Sequence, residues 1–354
     1  MTLQNKSIVF SQIPKGLPTE EHLPLVSSEI SSEAPKGGLL LQTLYVSLDP
    51  YMRGCMRDPS IKTYSEPYPL GKPINNFGIS RVIDSKASGF KKSDLVISPY
   101  GKTVFSLYQS VSADELPFFT PVSDTEGIPL TYYIGILGMP GLTAYHALIN
   151  IGGPLKSGET ILVSAAAGAV GQIVGQLAKL HGLRVVGSVG SDEKVKFVTE
   201  ELGFDAAWNY NKETDYYAAI DKYIPEGTDI FYDNVGGPLL DAVLLKSKVH
   251  GRIIACGAIS QYNLQPEERY GCKNLIEIFQ RRLTIKGFVI LDTIVGDPET
   301  VKEVIGSLTK LVKKDADAFL FKEDVTDGIE NLTTAFQGLL TGKNQGKSIV
   351  KFAD

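Results

Sequence analysis

The segment from Ile161 to Lys194, ILVSAAAGAVGQIVGQLAKLHGLRVVGSVGSDEK, constrains the fold more than any other part of the chain. An apolar run ends in alanines and glycines, a helical pattern follows, and a second apolar run comes next. The helical pattern is apolar on one face from Val170 to Leu177, and Gly182 follows as a C-terminal cap. A strand, a glycine-rich turn, a helix and a second strand make the βαβ unit of a parallel sheet.

The glycines of this turn have the spacing Ala166-x-Gly168-x-x-Gly171, a variant of GxGxxG with alanine in the first place. Gly168 would let the backbone approach a pyrophosphate, and Gly171 would let the helix pack closely on the strand. The helix N-terminus would offer free N–H groups to phosphate oxygens. Such a turn also serves packing alone, but the strand before it and the helix after it favour dinucleotide binding.

The end of the second apolar run indicates which dinucleotide binds. NAD-binding folds usually carry Asp or Glu about 20 residues after the glycines, where it accepts hydrogen bonds from the ribose 2′-hydroxyl. Here the run ends in Gly190 and Ser191, and Lys194 is a suitable charge for a 2′-phosphate. Asp192 and Glu193 are expected in the first turn of the next helix, facing away. The pattern predicts NADPH, although Lys194 would also fit an ordinary surface position.

Downstream of the glycine turn, apolar runs and helical patterns continue to alternate. With the two runs above, six segments read as buried strands: Ile161–Ala165, Arg184–Gly187, Ala206–Trp208, Asp229–Asp233, Arg252–Cys256 and Thr284–Val289. Six parallel strands joined by right-handed crossovers would form a doubly wound α/β sheet. We place this domain at residues 138–315.

Residues 1–137 are rich in Gly, Pro and Ser, and short β-type runs such as GGLLLQTLYVSL break at turns. Many short strands with few helical patterns predict a β-rich domain. The tail, residues 316–354, contains the strand-like SIVKFA and is expected to return and complete this domain.

Composition narrows the class of protein. The chain has 354 residues, enough for two domains, and a net charge of -5, which argues against a nucleic-acid partner. No apolar window reaches the length of a membrane span, and the N-terminus lacks the order of a signal peptide, so we expect a cytoplasmic protein. Three cysteines and four histidines are scattered without paired spacings, which predicts neither disulfides nor a metal site.

Several longer motifs point to a family: LYVSLDPYMRG, GMPGLTAYHAL, VSAAAGAVGQIVGQLAKL, FYDNVGG, GRIIACGAISQYN and GKNQGKSIVKF, in this order. With these motifs the chain resembles the medium-chain dehydrogenase/reductase superfamily. Within it, the chain resembles the zinc-free 2-alkenal and prostaglandin reductases, also called leukotriene B4 dehydrogenases or double-bond reductases. The resemblance runs from about Leu39 to the C-terminus. It implies a GroES-like β-rich domain, a Rossmann domain and a cleft between them, where NADPH reduces α,β-unsaturated aldehydes or ketones.

The resemblance also implies the residues of the site. Tyr262 would donate a hydrogen bond to the substrate oxygen, and it follows the fifth strand, at the edge where doubly wound sheets bind ligands. Tyr51, in the DPYMR motif of the other domain, is the second catalytic candidate, with the role of positioning the substrate. Cofactor contacts would come from Gly168, Ala169, Val170, Gly171, Lys194, Tyr210, Asn234, Cys256, Gly257, Ala258, Ile259, Ser260, Gln261, Tyr262, Phe288, Val289, Ile290 and Asn344.

Two other functions remain open at this point. A quinone is also an enone, so an NADPH quinone reductase of the same superfamily is the first alternative. A protein that binds NADPH without catalysis, as a regulator, is the second. Dimers are common in the family, and a homodimer is expected by that resemblance alone.

Overall fold

The computed structural model describes residues 1–122, 127–314 and 319–354, with nothing stated of the Lys314 side chain. The chain divides into two compact units, a first unit of Met1–Met139 with Glu323–Asp354 and a second unit of Pro140–Lys322. The boundaries expected from the sequence were 137/138 and 315/316. The latter lies outside the described residues.

Short strands dominate the first unit, and strands alternate with helices in the second. The strands are β1 Thr2–Phe10, β2 Leu25–Ser31, β3 Leu39–Ser47, β4 Lys72–Pro73, β5 Asn75–Asn76, β6 Gly78–Ser85, β7 Leu95–Ile97, β8 Thr103–Val104, β9 Tyr108–Val111, β10 Thr120–Pro121, β11 Thr160–Ser164, β12 Arg184–Val189, β13 Ala206–Asn209, β14 Thr228–Asp233, β15 Ser247–Ala255, β16 Thr284–Gly287, β17 Glu323–Asp327 and β18 Lys347–Lys351. The helices are α1 Met52–Cys55, α2 Met139–Tyr145, α3 Gly171–Leu180, α4 Asp192–Lys196, α5 Tyr216–Tyr223, α6 Gly237–Lys246, α7 Glu277–Gln280, α8 Ile290–Gly296, α9 Pro298–Lys314 and α10 Leu332–Leu340.

The first unit is the β-rich, GroES-like domain that the sequence predicts. Its main sheet has the order β10-β7-β6-β3-β18-β17, and β9 also pairs with β3. Strand β3, LLLQTLYVS, is buried along nearly its whole length, so both of its faces are covered. Leu39, Leu41, Val82 and Val111, which come from strands β3, β6 and β9, belong to one buried apolar cluster.

The C-terminal strand β18 lies inside this sheet, antiparallel to β3 and parallel to β17. Lys347 at its start is fully buried. Its ammonium donates to the Leu48 carbonyl at 2.6 Å and to the Ser348 carbonyl at 3.0 Å, and forms an ion pair with Asp49 at 3.1 Å. Burial lowers the pKa of Lys347, and the neighbouring Asp49 carboxylate opposes that shift. The tail is therefore held by a buried charge pair as well as by its ladder.

The second unit contains a parallel sheet with the order β13-β12-β11-β14-β15-β16, which confirms the predicted six-stranded Rossmann fold. The central strand β11 is buried throughout, and Ile161 pairs with Val185 on one side and Ile230 on the other. Helix α3 packs closely: a Cβ at Gly175 would lie 1.9 Å from the Phe204 ring. Among the described residues, no helix has the length and apolarity needed to cross a membrane.

In each of the six strands at least one end differs from the sequence prediction, by one or two residues except at the start of β15. The strand predicted as Thr284–Val289 ends at Gly287, because its partner β15 ends at Ala255, the residue that pairs with Gly287. The strand predicted as Arg252–Cys256 begins five residues earlier, at Ser247, as part of β15. Phe288 and Val289 are thus in a connection, and not in the sheet.

We expect Lys347→Met to loosen β18, because it leaves the buried Asp49 carboxylate without its counter-charge. Breaking such a pair costs about 3–5 kcal/mol. Hydrogen exchange of the β3 and β18 amides would measure this loss directly. Lys351→Met is the matched control, since Lys351 lies on the same strand but pairs with the exposed Asp354. It should leave the exchange of these amides nearly unchanged, because solvent screens an exposed pair. Equal effects of the two substitutions would contradict a role for the buried pair.

Candidate cofactor and active site

The glycine turn after β11 has the geometry that its spacing predicts. Ala165 has a positive φ of 49°, and its carbonyl accepts the Gly168 N–H at 2.9 Å, so the chain reverses sharply. A Cβ at Gly171 would lie 2.4 Å from the Ala165 carbonyl oxygen. Only glycine therefore allows α3 to begin this close to the end of the strand.

The first turn of α3 has free donors. In the described part of the chain, the N–H groups of Ala169, Val170 and Gly171 donate to no protein acceptor. The first turn also carries no acidic side chain. Unpaired N–H groups at a helix N-terminus bind anions, so this turn is suited to a pyrophosphate.

The carboxyl end of β12 lies beside that of β13. Ser191 caps α4, its hydroxyl oxygen accepting the Lys194 N–H at 3.2 Å, and the half-buried Lys194 side chain lies in the same helix. Tyr210 follows β13 and turns back toward β12: a Cβ at Gly190 would lie 2.7 Å from the Tyr210 hydroxyl oxygen. Lys194 and Tyr210, which the sequence predicts near a 2′-phosphate, are thus on neighbouring strand ends.

The ends of the central strands β11 and β14 are joined by Ser164 and Asn234. The Ser164 hydroxyl accepts the Asn234 N–H at 2.8 Å, and the Asn234 amide donates to the Ser164 carbonyl at 2.7 Å. Asn234 was predicted as a cofactor contact. One hydrogen of its amide nitrogen is used within the protein, so a cofactor contact would come from the second amide hydrogen or from the side-chain oxygen.

Asp233, the last residue of β14, was not predicted as part of the site. Its carboxylate accepts the N–H groups of Val235 and Gly236, both at 2.9 Å, and the Ser164 hydroxyl at 3.3 Å. Burial raises the pKa of Asp233 to about 6, against the lowering effect of these hydrogen bonds. The signal available in the sequence was a carboxylate directly before Asn234, at the end of a buried apolar run.

The loop after β15 is tied to the same place. The N–H groups of Cys256 and Gly257 both donate to the Asp233 carbonyl at 2.9 Å. The chain continues through Ala258 into a short 3₁₀ turn, Ile259–Gln261, and reaches Tyr262. All of these predicted contacts lie at the carboxyl edge of the sheet.

The Tyr262 hydroxyl accepts the Ala258 N–H at 3.2 Å. Burial raises the pKa of Tyr262, and this hydrogen bond acts in the opposite direction. Among the described residues the hydroxyl donates to no acceptor, so its proton is available for donation. Phe288, Val289 and Ile290 follow β16 at the same edge, with Ile290 buried at the start of α8.

The other predicted residues, Tyr51 and Asn344, belong to the first unit. Asn344 lies between α10 and β18 and donates to the Gly346 carbonyl at 2.8 Å. The Tyr51 hydroxyl donates to Asn76 Oδ1 at 2.6 Å. The direction of that bond follows from Asn76, whose amide nitrogen donates to the Ser47 carbonyl and to Asp49 Oδ2, both at 2.9 Å. Burial raises the pKa of Tyr51, and the Asp49 charge adds to that effect.

The cysteines and histidines do not form a metal centre in the described residues. No three His, Cys, Asp or Glu side chains there are grouped so that they could hold a metal ion. Cys55, Cys256 and Cys272 are all free thiols.

Comparison with known proteins agrees with this geometry. Residues 6–115 match the family model described as the N-terminal domain of oxidoreductase, and residues 169–310 match the one described as zinc-binding dehydrogenase. The chain is 42% identical to NADP-dependent oxidoreductase RED1 of Cochliobolus heterostrophus, with 99% of this chain and 98% of that protein aligned. It is 40% identical to the NADP(+)-dependent 2-alkenal reductase of Nicotiana tabacum, over 98% and 97% of the two chains. Among solved structures, CurA from Vibrio vulnificus in complex with NADPH has a TM-score of 0.88 and 33% identity, over 99% of each chain.

These likenesses identify the class of protein as an oxidoreductase with a GroES-like and a Rossmann domain. The chain belongs to the medium-chain dehydrogenase/reductase family.

Proposed function

We propose that this protein uses NADPH to reduce the carbon–carbon double bond of α,β-unsaturated aldehydes and ketones. The observation that carries the proposal is the carboxyl edge of the six-stranded sheet, where an anion-binding turn and a phenol with an available proton occur together. The names of the relatives, an NADP-dependent oxidoreductase and a 2-alkenal reductase, support the same chemistry.

The residues at this edge fit an NADPH molecule. We propose that the N–H groups of Ala169, Val170 and Gly171 hold the pyrophosphate, and that Ser191, Lys194 and Tyr210 surround the 2′-phosphate. The remaining contacts would be Gly168, Asn234, the Cys256–Tyr262 loop and Phe288–Ile290. Asn344, in the first unit, stays a predicted contact. When bound, NADPH would supply the hydride that adds to the β-carbon and leave as NADP+, and a proton from water would add at the α-carbon to complete the saturated product.

Tyr262 stabilises the negative charge that hydride addition creates on the substrate. Hydride addition to the β-carbon of an enone moves negative charge onto the carbonyl oxygen. A fixed donor placed at that oxygen stabilises the charge as it develops. The Ala258 N–H holds the Tyr262 hydroxyl in place and makes it a better donor, because it withdraws electron density from the oxygen.

Tyr51 would have a different role in binding the substrate. Its proton is bound to Asn76, so its oxygen is the group that remains available, as an acceptor. We therefore propose that Tyr51 positions the substrate and does not donate to the enone oxygen.

The decisive experiment measures NADPH oxidation with 2-alkenals, with quinones, with saturated aldehydes of the same chain length, and without acceptor. We expect turnover with 2-alkenals and recovery of the saturated aldehyde with its carbonyl intact. Turnover with quinones alone would establish the quinone reductase alternative instead. NADPH binding without turnover of any acceptor would establish the non-catalytic one.

We expect Tyr262→Phe to lower kcat for enal reduction about 10- to 1000-fold, because it removes only the hydroxyl that stabilises the developing charge. NADPH affinity, measured by titration of cofactor fluorescence, should stay within about twofold, since the ring remains. Tyr217→Phe removes a phenol from α5 in the same unit and should leave both quantities unchanged. A kcat for Tyr262→Phe within twofold of wild type would show that Tyr262 contributes only apolar contacts.

We propose that the protein is a cytoplasmic homodimer. Strand β16 is the terminal strand of its sheet and is exposed along its whole length. In the segment that precedes it along the chain, Leu275, Ile276 and Phe279 are exposed. An unpaired strand edge with apolar neighbours is a surface that a second copy can cover. Sedimentation equilibrium of wild type and of Ile285→Lys tests this, with a dimer expected only for wild type. A monomeric wild type would contradict the proposal.

A further inference from the structure

Asp192 is the residue at the proposed 2′-phosphate position that should oppose NADPH. It is the first residue of α4, directly after Ser191. A carboxylate near this strand end is the device by which NAD-binding folds bind the ribose 2′-hydroxyl, and it repels a 2′-phosphate. Lys194 alone would have to overcome that repulsion.

Both oxygens of the Asp192 carboxylate are, however, engaged by residues around the end of β13. Asn209 donates its amide to Asp192 Oδ1 at 2.9 Å, and Lys212 forms an ion pair with Oδ2. The Asn209 amide cannot rotate freely, because its oxygen accepts the Asn211 N–H at 3.0 Å. Asn211 in turn donates its own amide to the Gly190 carbonyl at 2.7 Å, on the strand end that precedes Asp192. The carboxylate is thus held from the β13 side, by the fixed Asn209 amide and by the Lys212 ammonium.

We propose that Lys212 determines cofactor specificity through Asp192: it neutralises the carboxylate and, with Asn209, keeps it directed toward β13 and away from the 2′-phosphate. Lys212 is then a positioning residue, since its ammonium binds Asp192 and not the cofactor. The inference rests on the proposed function, which places the NADPH phosphate at the end of β12.

Electrostatics sets the size of the effect. The Lys212 and Asp192 side chains are 67% and 51% exposed, so water and salt weaken every interaction at this place. In water, two unit charges about 4 Å apart change a binding constant about fivefold, and a 2′-phosphate carries nearly two charges. Releasing the Asp192 carboxylate should therefore weaken binding of the phosphate about 5- to 20-fold. The loss should shrink at high ionic strength.

The test compares adenosine 2′,5′-bisphosphate with 5′-AMP, two probes that differ only in the 2′-phosphate, by calorimetric titration of the full-length protein. The variants are Lys212→Met, Asp192→Asn and the double variant. We expect Lys212→Met to weaken binding about 5- to 20-fold only for the bisphosphate. The double variant should regain affinity to within about threefold of wild type, because the carboxylate that Lys212 neutralises is gone. The same difference between the variants is expected when NADPH is compared with NADH.

Two controls accompany these variants. Lys222→Met removes another exposed lysine of the same unit, one that pairs with Glu213, and should change neither probe. Lys194→Ala should weaken the bisphosphate both in the wild-type protein and in the Asp192→Asn variant, because Lys194 is proposed to bind the phosphate itself.

An equal loss from Lys212→Met in the wild-type protein and in the Asp192→Asn variant would overturn the inference, since Lys212 would then bind the phosphate directly. No loss, or an equal loss for 5′-AMP, would also overturn it. Wild-type protein that binds the two probes equally would overturn the proposed cofactor site and the inference together. The affinity changes from Lys212→Met and Asp192→Asn could also simply add, while the wild-type protein still prefers the bisphosphate. That result would leave the proposed cofactor site standing and would reject only the inference about Lys212.

Discussion

The site of this protein depends on the hydrogen bonds between Ser164 and Asn234, which join the ends of the two central strands. In a doubly wound sheet the crossovers run in opposite directions from this pair of strands, and a crevice opens where they separate. Ser164 also binds the Asp233 carboxylate, and the Asp233 carbonyl receives two N–H groups from the loop after β15. The glycine turn, the Asp233–Gly236 turn and the loop that carries Tyr262 therefore start from one hydrogen-bonded junction. A change there would move together the groups that are proposed to bind cofactor and substrate.

Tyr51 and Tyr262 have the same side chain, but their hydrogen-bond partners give them different roles. A phenol has one proton and an oxygen that accepts. At Tyr51 the proton is bound to Asn76, and the orientation of Asn76 is set by Asp49, which is itself paired with Lys347. At Tyr262 the oxygen receives the Ala258 N–H, and the proton is available. The first arrangement makes an acceptor and the second a donor, a difference that the sequence around each tyrosine does not indicate.

The parts of the structure that could be predicted from sequence are those with local signals. The period of apolar residues predicts β11, α3 and β12, and the glycine spacing predicts the turn between them. Strand ends were less accurate, because β16 stops where its partner β15 stops, and pairing is not visible in one strand. Pairs that are far apart along the chain could not be found at all. Lys347 and Asp49 are 298 residues apart, and nothing near either residue indicates the other. Asp192 was expected to face away, but the residues that hold it, Asn209 and Lys212, lie one strand further on and carried no separate signal.

The family model for the second unit bears the description of a zinc-binding dehydrogenase, whereas the described residues include no group of side chains suited to a metal ion. The difference is reasonable on chemical grounds. Reduction of a simple carbonyl produces an alkoxide, whose full charge rests on one oxygen, and a metal ion is an effective way to stabilise it. Hydride addition to the β-carbon of an enone produces an enolate, whose charge is shared between oxygen and carbon and is less basic. A single well-placed phenol, the role proposed for Tyr262, would then be a sufficient donor. The same sheet and the same cofactor turn can thus serve either reaction, and the residues that surround the substrate oxygen decide between them.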